Sequence, residues 1–196
     1  HNKKSLVILF LDIFDFFYRL NFVNFFKKIK VNKFDIIFDV GAHKGESIVF
    51  FNKYFSVNKI ISFEPSPINF TKLEKFVKNK KFKSEVILEN FGLGLREEKK
   101  QLNQAIESSS STFNEINYNS KYYNKKKNLL NFFSNKKYIT KVEVNIINLK
   151  SYMINNKVDK VDLLKIDTEG FEFDVLSGLG DKIQQIKFIF FEHHYD

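Results

Sequence analysis

The stretch FDIIFDVGAHKGES, Phe34 to Ser47, decides the fold. Its apolar run ends in an acid, Asp39, and the chain then turns through two glycines, Gly41 and Gly45. Four later segments are built alike: KIISFE, EVILEN, VDLLKID and IKFIFFE. Each is short, dominated by Ile, Val, Leu and Phe, and almost continuous where a half-exposed strand would alternate. That is the pattern of strands covered on both faces in a parallel sheet. Between the first two strands a helical pattern runs from about Glu46 to Tyr54. After the second, Ser66 supplies a capping hydroxyl and Pro67 a first-turn proline, and TKLEKFVKNK continues with helical periodicity. The βαβαβ order predicts an α/β Rossmann-like sheet with helices on both faces.

Two regions stand apart from this repeat. Between Leu93 and Leu149, EEKKQL and ITKVEVNII read as exposed strands, separated by the SSSST run at Ser108 to Thr112 and by a lysine- and asparagine-rich stretch over 114–137. This is a polar insertion on the sheet, and it serves as a lid, a substrate-facing loop or surface padding. At the other end, SLVILFLDIFDFFYRL over residues 5–20 sets Asp12, Asp15 and Arg19 along one side of a helix and apolar residues on the rest. Two carboxylates near its middle argue against a membrane span, and no small-residue cleavage site follows it. A helix packed on the domain is expected, with an interfacial anchor giving peripheral membrane contact as the alternative. The division is an N-terminal amphipathic helical segment over 1–33 and a Rossmann-like domain over 34–196.

The 196 residues, 43% of them apolar, are enough for the core of one domain. A net charge of +9 raises nucleic acid as a partner, yet Arg19 and Arg96 are the only arginines among the 32 basic residues. Base and phosphate recognition recruits the bidentate arginine fork, so the charge reads as a solvated lysine surface and a nucleic-acid partner is not expected. The chain has no cysteine, which excludes disulfides, thiolate metal sites and cysteine nucleophiles and fits a reducing, cytoplasmic compartment. It opens on His1 and stops four residues after a strand-like run, so a fragment or trimmed chain is expected.

In an open α/β sheet, ligands bind beyond the carboxyl ends of the strands, and Asp39, Glu64, Asn90, Asp167 and Glu192 all fall there. A dinucleotide fingerprint needs three glycines so that backbone can press on a pyrophosphate. DVGAHKG lacks the third and carries His43 and Lys44 inside the turn. Glu64, at the end of the second strand, is placed to accept both hydroxyl protons of a ribose. Together these features favour S-adenosylmethionine over NAD, with Asp39, Gly41, His43, Gly45, Glu64, Pro65 and Asn90 as its expected contacts.

FDVGAHKGES, ISFEPSPINFTKLEKFVKNK, ILENFGLG, SSSSTF, VEVNIINLKSYM, VDLLKIDTEGFEFDVLSGL and IKFIFFEHH, in that order, resemble the FkbM-type methyltransferase family over about residues 35 to 194. The string KIDTEGFE, Lys165 to Glu172, is the most specific element, followed by FEPSP. The resemblance implies a Rossmann-like S-adenosylmethionine fold and methylation of hydroxyl groups, often on sugars or secondary metabolites. In one departure the chain ends after the fifth strand, so that any final β-hairpin of the full sheet falls outside it.

Methyl transfer to a hydroxyl needs alignment and a base for the departing proton. Asp167 and Glu169, in the turn after the fourth strand, are the first candidates, and capping of the helix near Phe171 by Asp167 or Thr168 is the competing reading. His193 is an alternative base. Lys165 reads as a snorkelling lysine paired with an acid. Asp167, Glu169 and Glu192 are oxygen ligands of the kind magnesium takes, but spacing does not bring them together and no metal is predicted. The expected function is O-methylation of a glycan or small metabolite. An RNA methyltransferase and a non-catalytic binding protein of the same fold are the alternatives.

Overall fold

The computed structural model describes residues 19–105, 139–168 and 170–191. Residues 1–18 of the N-terminal segment, the SSSST run, the 114–137 stretch, Glu169, Glu192 and His193 lie outside the described residues. Helix α1 covers residues 19–28. There follow β1 (Lys33–Val40), α2 (Glu46–Tyr54), β2 (Ser56–Phe63), α3 (Pro67–Lys78), β3 (Glu85–Glu89) and β4 (Gly92–Leu93). The chain goes on through β5 (Glu98–Ala105), β6 (Ile139–Ile147), α4 (Leu149–Asn155), β7 (Val161–Ile166), α5 (Glu172–Ser177), a 3-10 turn over Gly180–Gln185 and β8 (Ile186–Phe191).

The five apolar runs form one sheet in the order β3-β2-β1-β7-β8, parallel at every pairing. Being parallel, it must be covered on both sides, and two apolar clusters do so. On one face Phe22, Val23 and Phe26 of α1, Ile48 and Phe51 of α2 and Leu73 of α3 meet Ile37, Ile60 and Leu163 of the strands. On the other, Leu149, Tyr152 and Met153 of α4 and Val175 of α5 meet Phe38, Val40, Phe63 and Ile166. The described part of the N-terminal segment thus shares the core of the sheet. Among the described residues no helix is long and apolar enough to cross a membrane.

The helix starts follow local chemistry. Ser66 accepts a hydrogen bond from Asn69 N and Pro67 opens α3, as its sequence predicts. Helix α4 was not foreseen, although its signal is present: the Asn148 side chain accepts from Ser151 N at 2.8 Å, and the buried Leu149, Tyr152 and Met153 follow at helical spacing.

The insertion builds its own three-stranded sheet, β4-β6-β5, rather than extending the main one. β5 and β6 are antiparallel, and β4 runs parallel to β6. They are not simply exposed: Leu102, Val144 and Ile146 are buried together. The alternation in KVEVNI produces this, with one face inward and the other in water.

Gly41 fixes how the β1 and β7 exits approach each other. Its N–H donates to Phe63 O at 3.0 Å while Asp167 N donates to Val40 O at 3.0 Å. At φ +80, a Cβ on Gly41 would lie 1.8 Å from the Asp167 carbonyl oxygen. Gly41→Ala is therefore expected to cost about 3 kcal/mol or more, because backbone rather than a flexible side chain must move. Gly180 also has positive φ, +52, but its nearest neighbour would be 3.7 Å away. There alanine should cost only about 1 kcal/mol of left-handed strain. Urea unfolding midpoints of the two variants check the contrast, and equal losses would remove it.

Candidate functional site

Asp39, Glu64, Asn90 and Asp167 all reach the carboxyl edge of the sheet, from β1, β2, β3 and β7. Two clusters form there. The first is a row laid across three strands. Asp39 is the register partner of Ser62 on β2 and of Lys165 on β7. Lys165 Nζ lies 3.2 Å from Asp39 Oδ1, with side-chain exposures of 9% and 0%. Ser47 and Ser62 donate to Asp39 Oδ2 at 2.6 and 3.3 Å. Lys165 Nζ also lies 3.4 Å from Gly41 O and 3.6 Å from Asp167 Oδ2, and the Asp167 side chain is 27% exposed. Lys165 is paired with an acid as its sequence suggests, but it does not snorkel. Its ammonium stays inside and holds together the ends of β1 and β7.

The second cluster surrounds Glu64, which is 4% exposed. Its Oε2 accepts from His43 N at 2.8 Å and its Oε1 from Ser66 N at 2.9 Å. Asn90 Nδ2 donates to the Glu64 carbonyl at 2.9 Å. Burial pushes the Glu64 carboxyl above its ordinary value, against the two backbone N–H bonds that favour the charge. Pro65, half-buried, carries the chain from Glu64 into the α3 cap.

The loop between β1 and α2 is shaped by conformation as much as by charge. His43 has φ 49 and Gly45 φ 90. A Cβ on Gly45 would meet Leu73 and the Phe76 ring at 3.0 Å, so this glycine lets α2 start close against α3. His43 Nε2 is buried without a hydrogen-bond partner among the described residues, while Nδ1 stands 3.7 Å from Glu46 Oε2. Glu46 is held down to about 2: burial opposes this, but the bonds and charge of His43 and nearby backbone N–H groups outweigh it.

The turn after β7 corrects the capping alternative. Helix α5 has Phe171 at its N-cap and no side-chain cap, so neither Asp167 nor Thr168 plays that part. Instead Glu172 reaches back, its Oε1 accepting from Thr168 N at 3.2 Å, Thr168 Oγ1 at 3.0 Å and Gly170 N at 3.0 Å. Burial alone would raise the Glu172 carboxyl, but these bonds hold it below its ordinary value. The Asp167 carboxylate is thereby left at the crevice edge.

The sequence reading missed Ser47, Ser62 and Glu172 as parts of the site. It also missed the bond from Tyr152 Oη to Glu89 Oε1 at 2.8 Å, behind Asn90. Only Glu172 had a local signal, as the last acid of KIDTEGFE; the others depend on strand register and helix packing.

The family model described as "Methyltransferase FkbM domain" matches residues 39–196. Among solved structures, the crystal structure of methyltransferase FkbM from Methylobacillus flagellatus KT is similar at 15% identity and a TM-score of 0.48, covering 78% of this chain. The match spans 30% of that chain. No curated protein matches the sequence.

Lys165→Met leaves Asp39 buried without its counter-charge and should cost about 3–5 kcal/mol, most of it recovered when Asp39→Asn is added. Denaturant titration of the two variants measures this, and a loss that the second change does not relieve would mean the methionine packs badly. Glu172 has a lowered folded pKa, so the stability it adds is present above the ordinary glutamate pKa and lost as pH falls through the folded one. The stability gap between the unaltered chain and Glu172→Gln should therefore shrink on acidification; a gap that does not change with pH would count against the bonds described.

Proposed function

The chain belongs to the FkbM methyltransferase family, and on that premise we propose that it is an enzyme that methylates a hydroxyl oxygen of a sugar or other small metabolite with S-adenosylmethionine. One observation carries the cofactor reading. Glu64 is a buried carboxylate with each oxygen already holding one backbone N–H. A carboxylate has about four lone-pair sites, which leaves two for the adjacent hydroxyls of a ribose. The buried, unpartnered His43 Nε2 in the loop beside it is a second polar atom suited to a ligand. These groups fit a cofactor with a ribose and no phosphate. An anionic pyrophosphate would face Glu64 with no compensating cation in the GAHKG turn except the exposed Lys44.

When bound, S-adenosylmethionine supplies a methyl group on a positively charged sulfur. The chain's own work is to orient and to take a proton. Asp167, at the crevice edge and 3.6 Å from Lys165 Nζ, accepts the proton of the acceptor hydroxyl in this reading. Lys165 sets the direction of that carboxylate, and Glu172 fixes the turn that follows it. Glu169 and His193 share the assignment as neighbouring acid and alternative base. The lining of Asp39, Gly41, Gly45, Pro65 and Asn90 holds the cofactor loop in shape.

Transfer of a tritiated methyl group to glycans, small hydroxylated metabolites and RNA tests the reaction; labelling of RNA alone would replace the acceptor class, and no labelling at all would leave a binding protein. Calorimetry with S-adenosylhomocysteine tests the cofactor site: Glu64→Ala should weaken binding by about 1–3 kcal/mol through lost charge-assisted hydrogen bonds. Because burial raises the Glu64 pKa in the free protein and hydroxyl donors favour the ionised form, binding should expel a proton. Affinity is then expected to rise with pH through that pKa and level off above it. An affinity indifferent to both the substitution and the pH would refute the ribose contact.

A further inference from the structure

Strands of a parallel sheet all begin at one edge, so the residues leading into β1 and β3 share the edge opposite the crevice. Lys28, Lys30 and Lys33 lead into or open β1, and Lys80, Lys81 and Lys83 lead into β3; all six are exposed. β2 lies between β1 and β3, which puts the two lysine groups two strand spacings, about 10 Å, apart. The acids at the start of these strands are Asp35, 3.7 Å from Lys33, and Glu85, 3.2 Å from Lys59. At the same edge Asp162 of β7 accepts from Ile36 N at 3.2 Å and Asp159 precedes it, so the positive charge lies on the lysines flanking the β1 and β3 entries and not along the whole edge.

Lysines collected at helix ends are common and by themselves indicate no partner. The second feature is apolar. Phe25 and Ile29 are 53% and 40% exposed. Ile29 N donates to Phe25 O at 3.1 Å, a helical bond that sets the two side chains one turn apart on the same side of α1. The adjoining stripe of the helix is spent on the core through Phe22, Val23 and Phe26, and Phe25 and Ile29 form its solvent-side margin. Phe25 and Ile29 are therefore left outside the core next to Lys28 and Lys30, an apolar pair edged by cations.

We propose that this edge docks on an anionic lipid surface, with Phe25 and Ile29 entering the interface, the lysines facing acidic headgroups and the crevice turned outward. Charge complementarity selects the surface: each lysine brought to an anionic bilayer strengthens binding about fivefold, and an apolar pair between cations suits the headgroup boundary. Nucleic acid would use the lysines but leave Ile29 without a contact it could favour.

Sedimentation of the full chain with vesicles of phosphatidylcholine, and of phosphatidylcholine mixed with phosphatidylglycerol, tests this. Binding is expected to the mixed vesicles, weakened by salt, and little to phosphatidylcholine alone. The double variants Phe25→Ser with Ile29→Ser and Lys28→Glu with Lys81→Glu should each lower vesicle affinity more than about tenfold while the urea midpoint stays in place. Failure to bind the mixed vesicles overturns the proposal, as does binding that either double variant retains in full. Tighter binding to single-stranded RNA than to the mixed vesicles, kept by Phe25→Ser with Ile29→Ser, would also overturn it.

Discussion

Lys165 and Asp39 form a buried ion pair between β1, the central strand, and its neighbour β7, and the candidate site is arranged around it. Removing both charges from water costs several kcal/mol, which a single contact does not offset unless the remaining polar sites are also satisfied. Here Ser47 and Ser62 bond the second Asp39 oxygen, and Lys165 has Gly41 O and Asp167 Oδ2 within reach. Asp39 Oδ1 makes no hydrogen bond among the described residues and faces only the Lys165 charge, so the pair depends on this close placement, and the position of the surrounding chain follows. β1 and β7 must end side by side, Gly41 must have no side chain, and Ser47 must come round on the first turns of α2. The loop that presents His43 and the turn that presents Asp167 are thus fixed by one electrostatic arrangement.

Two carboxylates near this pair show how environment divides a site. Glu64 and Glu172 both accept backbone N–H bonds, yet Glu64 is raised and Glu172 lowered. The difference is burial: Glu64 lies against the strands with Asp39 nearby, whereas Glu172 sits in a more open turn and collects hydrogen bonds there. Desolvation outweighs the bonds in the first case and the bonds outweigh desolvation in the second. Two hydroxyl donors would add to the bonds on Glu64 and offset its desolvation, which suits the ribose contact proposed above. The firmly charged Glu172 suits the structural task of closing the turn behind Asp167.

The sheet was readable because burial on both faces imposes a continuous apolar run, and five such runs ended in polar residues that marked the edge. The Ser66-Pro67 helix start was readable because a cap acts within four residues. What escaped depends on partners distant in the chain. Nothing in KIISFE tells that Ser62 faces Asp39, since that follows from parallel register with β1. Lys165 could be assigned an acid but not a depth, because depth is set by the strands on either side. The capping reading failed because α5 starts only at Glu172 with Phe171 at its N-cap, which leaves Asp167 and Thr168 upstream in a turn that Glu172 closes through Thr168 N and Gly170 N. The Leu102, Val144 and Ile146 face was misread because a three-stranded sheet can bury alternate residues without the main core.

The parallel topology also separates charge. Every helix between strands starts at the carboxyl edge and finishes at the other, and acids near helix starts and lysines near helix ends each stabilise the helix dipole. Glu46 opens α2 and Lys53 closes it, Lys75 and Lys78 close α3, and Glu172 and Asp174 open α5. At the crevice edge these acids offset the positive ends of the α2 and α5 dipoles, while α3 has no acid in its first turn and keeps its positive end. Asp39 adds little charge there because Lys165 lies 3.2 Å away, and the same ammonium stands 3.6 Å from Asp167. The discrimination against a phosphate is local, where the buried Glu64 carboxyl closes the β2 exit beside the β1–α2 turn. Helix electrostatics alone would admit a phosphate in this turn, so the cofactor proposed above rests on the buried Glu64 carboxyl and not on the helix dipoles or the glycines.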